Sequence, residues 1–284
     1  MNMTNIEQKL AGLKGRVGMY YKNMVTGETF AYHADEQYEA ASLIKLPVFM
    51  HIMKMIADGE ITRETKVLVK EEDKKPSCGA LQSLTGDVEV DIQSLYKLMI
   101  TISDNTASNM LIRVPGIPAL TEAFKEMGLE KTVIAREFFD SKAAAEGKVN
   151  YVCPEEIGML LESIYNRSYI SPEISEEIED VLLVQQIRHK IPGYVGRKKK
   201  IANKTGEDGN TTHDGAIVFA KEPFVLVICS NDTDVPETER FIREQLWKSQ
   251  MLAAEWNKFI TKNRKRSNLL IAPLLHFLGY FVAS

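Results

Sequence analysis

Three short polar motifs stand in a fixed order on this chain: Ser42-Leu43-Ile44-Lys45, Ser103-Asp104-Asn105 and Lys204-Thr205-Gly206. About a hundred residues of chain or fewer separate each from the next. If the three act together, the fold must bring a helix start, a loop corner and the end of a strand to one point. No value of composition constrains the fold as tightly. A second Ser-x-x-Lys, Ser94-Leu95-Tyr96-Lys97, has no such partners and reads as the face of a helix.

The chain has 284 residues, enough to bury a sizeable core. With 44% hydrophobic and 26% charged residues it has the balance of a globular protein. Its net charge of −4 and pI near 5.9 point away from nucleic acid as a partner. Three cysteines, Cys78, Cys153 and Cys229, are too few and odd in number for a disulfide framework. Cys229 ends the apolar run from Phe224 and reads as a buried strand thiol, while Cys78 and Cys153 lack the partner motif that a cysteine nucleophile needs.

Met1 to Arg16 holds no apolar run between a basic start and a small-residue cleavage site, so the sequence as written predicts a cytoplasmic address. At the other end, Lys262, Arg264, Lys265 and Arg266 precede the mostly apolar Leu269 to Ser284. That segment is shorter than the about twenty residues a spanning helix needs, and Pro273, His276 and Gly279 interrupt it. The pattern favours a tail that packs on the body or stays unstructured over a membrane anchor. The expected organisation is one domain over residues 1–258, monomeric, followed by a tail over 259–284.

Hydrophobic periodicity gives the elements. Arg16 to Lys22 and Glu28 to His33 read as strands of a hairpin around a turn at Asn23 to Gly27. Ser42 to Ile56 is periodic like a helix and stops at Asp58-Gly59. From about residue 60 to 190 the pattern is helical, over Val90 to Ile102, Thr106 to Ile112, Ile117 to Met127, Pro154 to Tyr165 and Pro172 to Ile187. The period then changes. Lys200 to Lys204, Gly215 to Ala220 and Pro223 to Ser230 read as strands, the last two joined at Lys221-Glu222, and Glu237 to Ile260 as a long amphipathic helix. Strands at both ends around a helical middle predict an α/β (α+β) fold. One antiparallel sheet is built from about 16–41 and 197–258, flanked by helices, with an all-helical lobe over about 60–190 inserted.

The three motifs carry a consistent chemistry. Ser42 and Lys45 are three apart at a helix start, so they share a face. A serine hydroxyl is a weak nucleophile until a base takes its proton. Lys45 can be that base if burial and a neighbouring cation, supplied by Lys204, lower its pKa. The free N–H groups of the helix start, Ser42's own among them, suit a developing oxyanion. Ser103, at a loop corner, can relay a proton to a leaving nitrogen, and the Asn105 amide can hold both substrate and Lys45. Lys204 and Thr205 can bind a substrate carboxylate, while Gly206 lets a substrate lie close along the strand edge. The Glu207 amide offers a second oxyanion donor. Each motif alone has a plainer reading, as a helix-start serine, a polar turn and a strand end.

Taken in order, the motifs resemble those of the class A β-lactamase family and its penicillin-binding relatives. The likeness extends through Met99 to Ile112 around Ser-Asp-Asn, through Gln186 to Gly206 with Ile191-Pro192-Gly193, and through Thr211 to Val218. It covers about residues 16 to 258. It implies a β-lactamase/transpeptidase-like fold, with a five-stranded antiparallel sheet, a helical lobe and the serine in the cleft between them. It also implies a β-lactam, peptide or ester as small-molecule partner, no metal and no organic cofactor, although the family is usually secreted or periplasmic. The roles implied are Ser42 nucleophile, Lys45 base, Ser103 relay and Lys204 with Thr205 as anchors.

Three departures bear on the activity. Family members carry Glu-x-x-Leu-Asn in an omega loop, whose glutamate activates the water that frees the acyl-enzyme. Aligning Thr132 to Arg136 with the lead-in to that loop puts Phe138 at the glutamate position, with Glu137, Asp140 or Glu146 as substitutes only on a different loop path. Losing a general base costs about 10²–10⁴-fold. Glu207 stands where the family has a small residue, and its charge disfavours anionic substrates unless a protonated His213 offsets it. Ser77-Cys78-Gly79 falls in a cleft-lining region, which makes Cys78 a cleft thiol. The leading expectation is a serine hydrolase acylated at Ser42 that opens β-lactam rings. The alternatives are a penicillin-binding, peptidase- or esterase-like enzyme with slow deacylation, and a non-catalytic binder of cell-wall fragments.

Overall fold

A computed structural model describes residues 3–195 and 198–248. The basic and apolar tail, and the expected helix beyond Lys248, lie outside the described residues. The chain opens with α1 (Met3–Gly12), then β1 (Arg16–Asn23), β2 (Thr29–Tyr32) and β3 (Tyr38–Glu39). A 3-10 turn over Ala41–Ile44 leads into α2 (Lys45–Ala57). The lobe holds β4 (Lys66–Val69), β5 (Val88–Asp91), α3 (Ile92–Thr101), α4 (Asn105–Arg113), α5 (Ile117–Glu126), α6 (Ser141–Ala145), β6 (Tyr151–Val152), α7 (Pro154–Tyr165) and α8 (Pro172–Leu183). The chain returns as β7 (Ile201–Asp208), β8 (Thr211–Val218), β9 (Phe224–Asn231) and α9 (Val235–Lys248).

The five-stranded sheet runs β2-β1-β9-β8-β7, antiparallel throughout, so the two ends of the domain close on each other through the β1–β9 pair. This is the expected sheet and the expected inserted lobe. β8 and β9 are buried along their full length because helices cover both faces. The pleat sorts the side chains. Val225, Val227 and Cys229 join the core under the lobe, whereas Phe224, Leu226 and Ile228 pack with Ile6 and Leu10 of α1 and Phe241 and Ile242 of α9. α2 is apolar on nearly every side, from Leu46 through Met53, and is accordingly the central helix of the lobe core.

Several boundaries differ from the sequence expectations. Val90 to Ile102 begins as a strand, because Val88 to Asp91 pairs with Lys66 to Val69, and turns helical only where Asp91 caps Ser94 N at 2.7 Å. The lobe is therefore not purely helical. α8 stops at Leu183, short of Ile187, and α1 has no counterpart in the pattern analysis. β7 does not end at Lys204-Thr205-Gly206. It pairs with β8 as far as Asp208↔Thr211 and turns at Gly209, whose φ is +51°, so the motif sits in mid-strand on an open sheet edge.

Gly158 on α7 marks the closest approach of lobe and sheet, since a Cβ there would lie 2.3 Å from the Tyr20 ring of β1. Gly158→Ala is expected to destabilise the domain by about 1–3 kcal/mol through overpacking. A urea unfolding midpoint equal to that of the parent would show that the two elements part without cost.

Candidate active site

Ser42 lies in the 3-10 turn and Lys45 opens α2, a tighter arrangement than the expected helix start. Ser42 lines the cleft, while Lys45, one residue past the end of the turn, is buried behind it. The turn is pressed against β7. A Cβ on Gly206 would come within 3.0 Å of the Leu43 amide nitrogen and 3.2 Å of the Ser42 nitrogen. A side chain at this position would push the strand and the backbone of the serine turn apart by a few tenths of an ångström.

Ser103 is the hub. Its Oγ is 3.1 Å from Lys45 Nζ and 3.1 Å from Lys204 Nζ, although the three residues come from three separate segments. Lys45 also donates to the Ser103 carbonyl at 2.7 Å and to Asn105 Oδ1 at 2.8 Å, and Lys204 donates to the Thr205 carbonyl at 2.6 Å. Both lysines are wholly buried. The acceptors around Lys45 favour its ammonium form, but burial first and the charge of Lys204 second hold its pKa well below the usual lysine range. Burial and the neighbouring Lys190 bring Lys204 down to about 7. A hydroxyl accepts from one lysine while donating to the other once that one is neutral, so Ser103 is placed to pass a proton between them.

Asp104, whose part the sequence reading left unassigned, fixes this corner. Its Oδ1 caps α4 through Ala107 N at 2.9 Å, and its Oδ2 accepts from Ala80 N and Leu81 N at 2.7 and 2.9 Å. Gly79, at φ +121°, has no room for a Cβ against Asp104, 2.2 Å away. The loop over 76–81 is thus held on the corner, with Asn105 Nδ2 donating to the Pro76 carbonyl at 3.0 Å.

Opposite Ser42, three side chains hold the loop over 130–138. Glu156 accepts from the backbone of Glu130, Lys131 and Thr132 at 2.7–2.8 Å, and Asn150 accepts from Ala135 N and Arg136 N. Asn109 brackets Phe138, with Oδ1 on its N–H at 2.8 Å and Nδ2 on its carbonyl at 2.9 Å. This path sets the Phe138 ring over Lys45, 4.5 Å from Nζ to the ring centre. Of the acidic neighbours, Glu137 pairs with Arg113 at 2.8 Å and Glu146 with Lys148 at 3.0 Å, while Asp140 caps α6 through Ala143 N. An apolar ring occupies the place next to Lys45.

The cleft between these walls has a volume of about 370 Å³ and is lined by Ser42, Cys78, Asn105, Phe138, Asp140 and Glu207 among others. Cys78 is half-buried there, a cleft thiol, whereas Cys153 and Cys229 are buried. The hydroxyls, ammonium groups and amides of this site are a donor set for acyl transfer. A sequence profile of the β-lactamase enzyme family matches residues 3–245. The chain belongs to that family. β-Lactamases of two streptomycetes are similar to it. The one from Streptomyces fradiae is 26% identical over 242 residues, 78% of this chain and 77% of that protein. The one from Streptomyces albus G is 26% identical over 159 residues, 52% of this chain and only half of that protein. Among solved structures, PBP-A has a TM-score of 0.79 at 26% identity, covering 90% of this chain and 96% of its own, and a variant of it is an acyl-enzyme complex with penicillin G. The β-lactamase of Sphaerobacter thermophilus has the same TM-score at 24% identity, covering 87% and 95%, which speaks for the fold.

Within this β-lactamase fold two expected ligand contacts need separate treatment. His213 does not face the cleft. It is fully buried, with Nε2 donating to the Glu39 carbonyl at 2.7 Å and Nδ1 accepting from Ser230 N at 3.1 Å. Burial lowers its pKa to about 4, so it is neutral and offsets no charge near pH 7. It stands directly across from Gly206 in the β7–β8 pair, its Cδ2 3.0 Å from where a Gly206 Cβ would lie, and its ring is taken up by partners on β3 and β9. Glu207 lines the cleft, but its carboxylate is drawn to Lys190 at 3.0 Å, and the charge of Lys190 keeps it ionised against the effect of partial burial. Thr205 is buried, with its carbonyl on Lys204.

A Lys204 pKa of about 7 gives a pH signature. Its proton is present below that value and lost above it, so acylation by an anionic substrate is expected to slow as pH rises through neutrality. Lys204→Arg keeps its charge and should move that fall to much higher pH. Penicillin labelling rates measured across the neutral range decide this, and an unmoved fall would assign it to another group.

Proposed function

We propose that this protein is a penicillin-interacting serine hydrolase that forms an acyl-enzyme at Ser42 readily and releases it slowly. The observation that carries the first part is the Ser103 hydroxyl 3.1 Å from both buried lysines. Ser42 Oγ attacks the carbonyl carbon of a β-lactam, or of a related peptide or ester, and its proton goes to neutral Lys45. The oxyanion forms beside the Ser42 amide and the edge of β7. The Lys45 proton passes through Ser103 to the leaving nitrogen as the C–N bond breaks, which leaves an ester on Ser42. Lys204 keeps the relay polarised and attracts the substrate carboxylate.

Phe138 supports the second part. Hydrolysis of the ester needs a base for the attacking water, and the group beside Lys45 at that position is a phenyl ring. Glu137 and Glu146 are engaged with cations elsewhere, and Asp140 with a helix cap. The resemblance to PBP-A, whose variant was captured with penicillin G, agrees with an acylated resting product.

A chromogenic cephalosporin mixed with a known amount of protein should give a burst of one equivalent, followed by turnover slower by about 10²–10⁴-fold. Sustained fast turnover would overturn the slow-release reading and require a different base. Phe138→Glu is expected to raise the steady rate while leaving the burst. Ser42→Ala should abolish covalent labelling by penicillin, and labelling that persists in this variant rules out Ser42 as the nucleophile.

A further inference from the structure

His189, Glu207 and Glu239 meet beside β7, at the rim of the cleft that Glu207 shares with Ser42. Their ligating atoms all lie within 4.8 Å of one another. His189 Nε2 is 3.2 Å from Glu239 Oε1 and 3.3 Å from Glu207 Oε1. We propose that these three residues form a binding site for a zinc-class divalent ion.

The distances fit an ion as well as they fit the His189–Glu239 hydrogen bond. An imidazole has one N–H at Nε2 and can donate well to only one of two carboxylates, which leaves both contacts long. A tetrahedral zinc has ligand bonds of about 2.0–2.1 Å, which puts its ligand atoms about 3.3 Å apart. The two separations from His189 are close to that edge, and the third lies within 4.8 Å. One imidazole and two carboxylates are a donor set for zinc or cobalt, and offer too few oxygens for calcium. The side chains of His189 and Glu207 are half exposed, 47% and 48%, so an ion and a water ligand have access.

Two cations lie nearby. Lys190 Nζ is 3.0 Å from Glu207 Oε1 and Arg243 Nη1 is 3.5 Å from Glu239 Oε2. Lys190 also donates to the carbonyls of Gly206 and His213, each at 3.0 Å, so it does not depend on Glu207 alone. Thr212 Oγ1 donates to Glu239 Oε1 at 3.3 Å and orients that carboxylate. Glu207 also lines the cleft, so an ion here fixes one wall of the catalytic site without taking part in acyl transfer.

Chelator-treated full-length protein titrated with Co²⁺ should develop the intense visible absorption of a tetrahedral ion, saturating at one equivalent and displaced by Zn²⁺. His189→Ala and Glu239→Gln should each weaken binding by about tenfold or more, with thermal unfolding used to show that both variants are folded. No absorption beyond that of the aqueous ion, or a titration unchanged in both variants, overturns the site. The readout is independent of β-lactam turnover, so it stands or falls apart from the proposed acylation of Ser42.

Discussion

Three lysines, Lys45, Lys190 and Lys204, are wholly buried around β7, and much of the site follows from the need to satisfy them. Removing an ammonium group from water costs several kcal/mol unless acceptors replace the solvent. Here the replacements are largely main-chain carbonyls: Ser103 for Lys45, Thr205 for Lys204, and Gly206 with His213 for Lys190. Carbonyls pointing into a core must come from a loop corner or an open strand edge, since elsewhere the ladders of secondary structure consume them. The Ser103 corner and the β7 edge supply those of Ser103, Thr205 and Gly206, and the start of β8 supplies that of His213. The same crowding that costs stability depresses the lysine pKa values, and a lysine that can be neutral is what a serine nucleophile needs as its base.

Backbone conformation around the cleft shows the same exchange of stability for placement. Of the eight described non-glycine residues at positive φ, four, Ala41, Ser77, Ser103 and Phe139, stand at the cleft or its corner. Each such residue costs on the order of 1–3 kcal/mol and persists only when its surroundings over-determine it. Asp104 supplies that for Ser103, and Asn109 holds the segment leading to Phe139. Asn150 and Glu156 secure the approach. Polar side chains that bracket backbone groups, rather than apolar packing alone, define the walls in which Ser42 works. The Phe138 ring owes its position to this bracketing.

The candidate site was legible in the sequence because its motifs are local. Ser42 with Lys45, Ser103 with Asn105, and Lys204 each announce a type of group at fixed spacing, and the strand–helix–strand pattern announced a sheet closed by both ends of the domain. Residues whose meaning lies in what they face were not legible. His213 was expected at the ligand and turned out to tie β8 to β9 and to Glu39, because its ring partners, the Glu39 carbonyl and the Ser230 amide, come from segments remote in sequence that no local pattern places. β4 and β5 were hidden within a helical pattern because short ladders carry little periodicity. Asp104 sat inside a quoted motif without a role, since its partners, Ala80 and Leu81, come from a separate loop.

The sequence by itself determined the membership in the β-lactamase enzyme family, the architecture of sheet and inserted lobe, and the residue types gathered at the candidate site. Those depend on residue type, spacing and period, which are properties of the chain read locally. Only the tertiary structure decided that the Ser103 hydroxyl stands midway between two buried lysines, that Phe138 covers one of them, and that His189, Glu207 and Glu239 converge beside β7. Each of these is a distance between segments remote in sequence. Such distances follow from how packed elements and bracketing polar side chains fix the chain in space, which no single segment encodes.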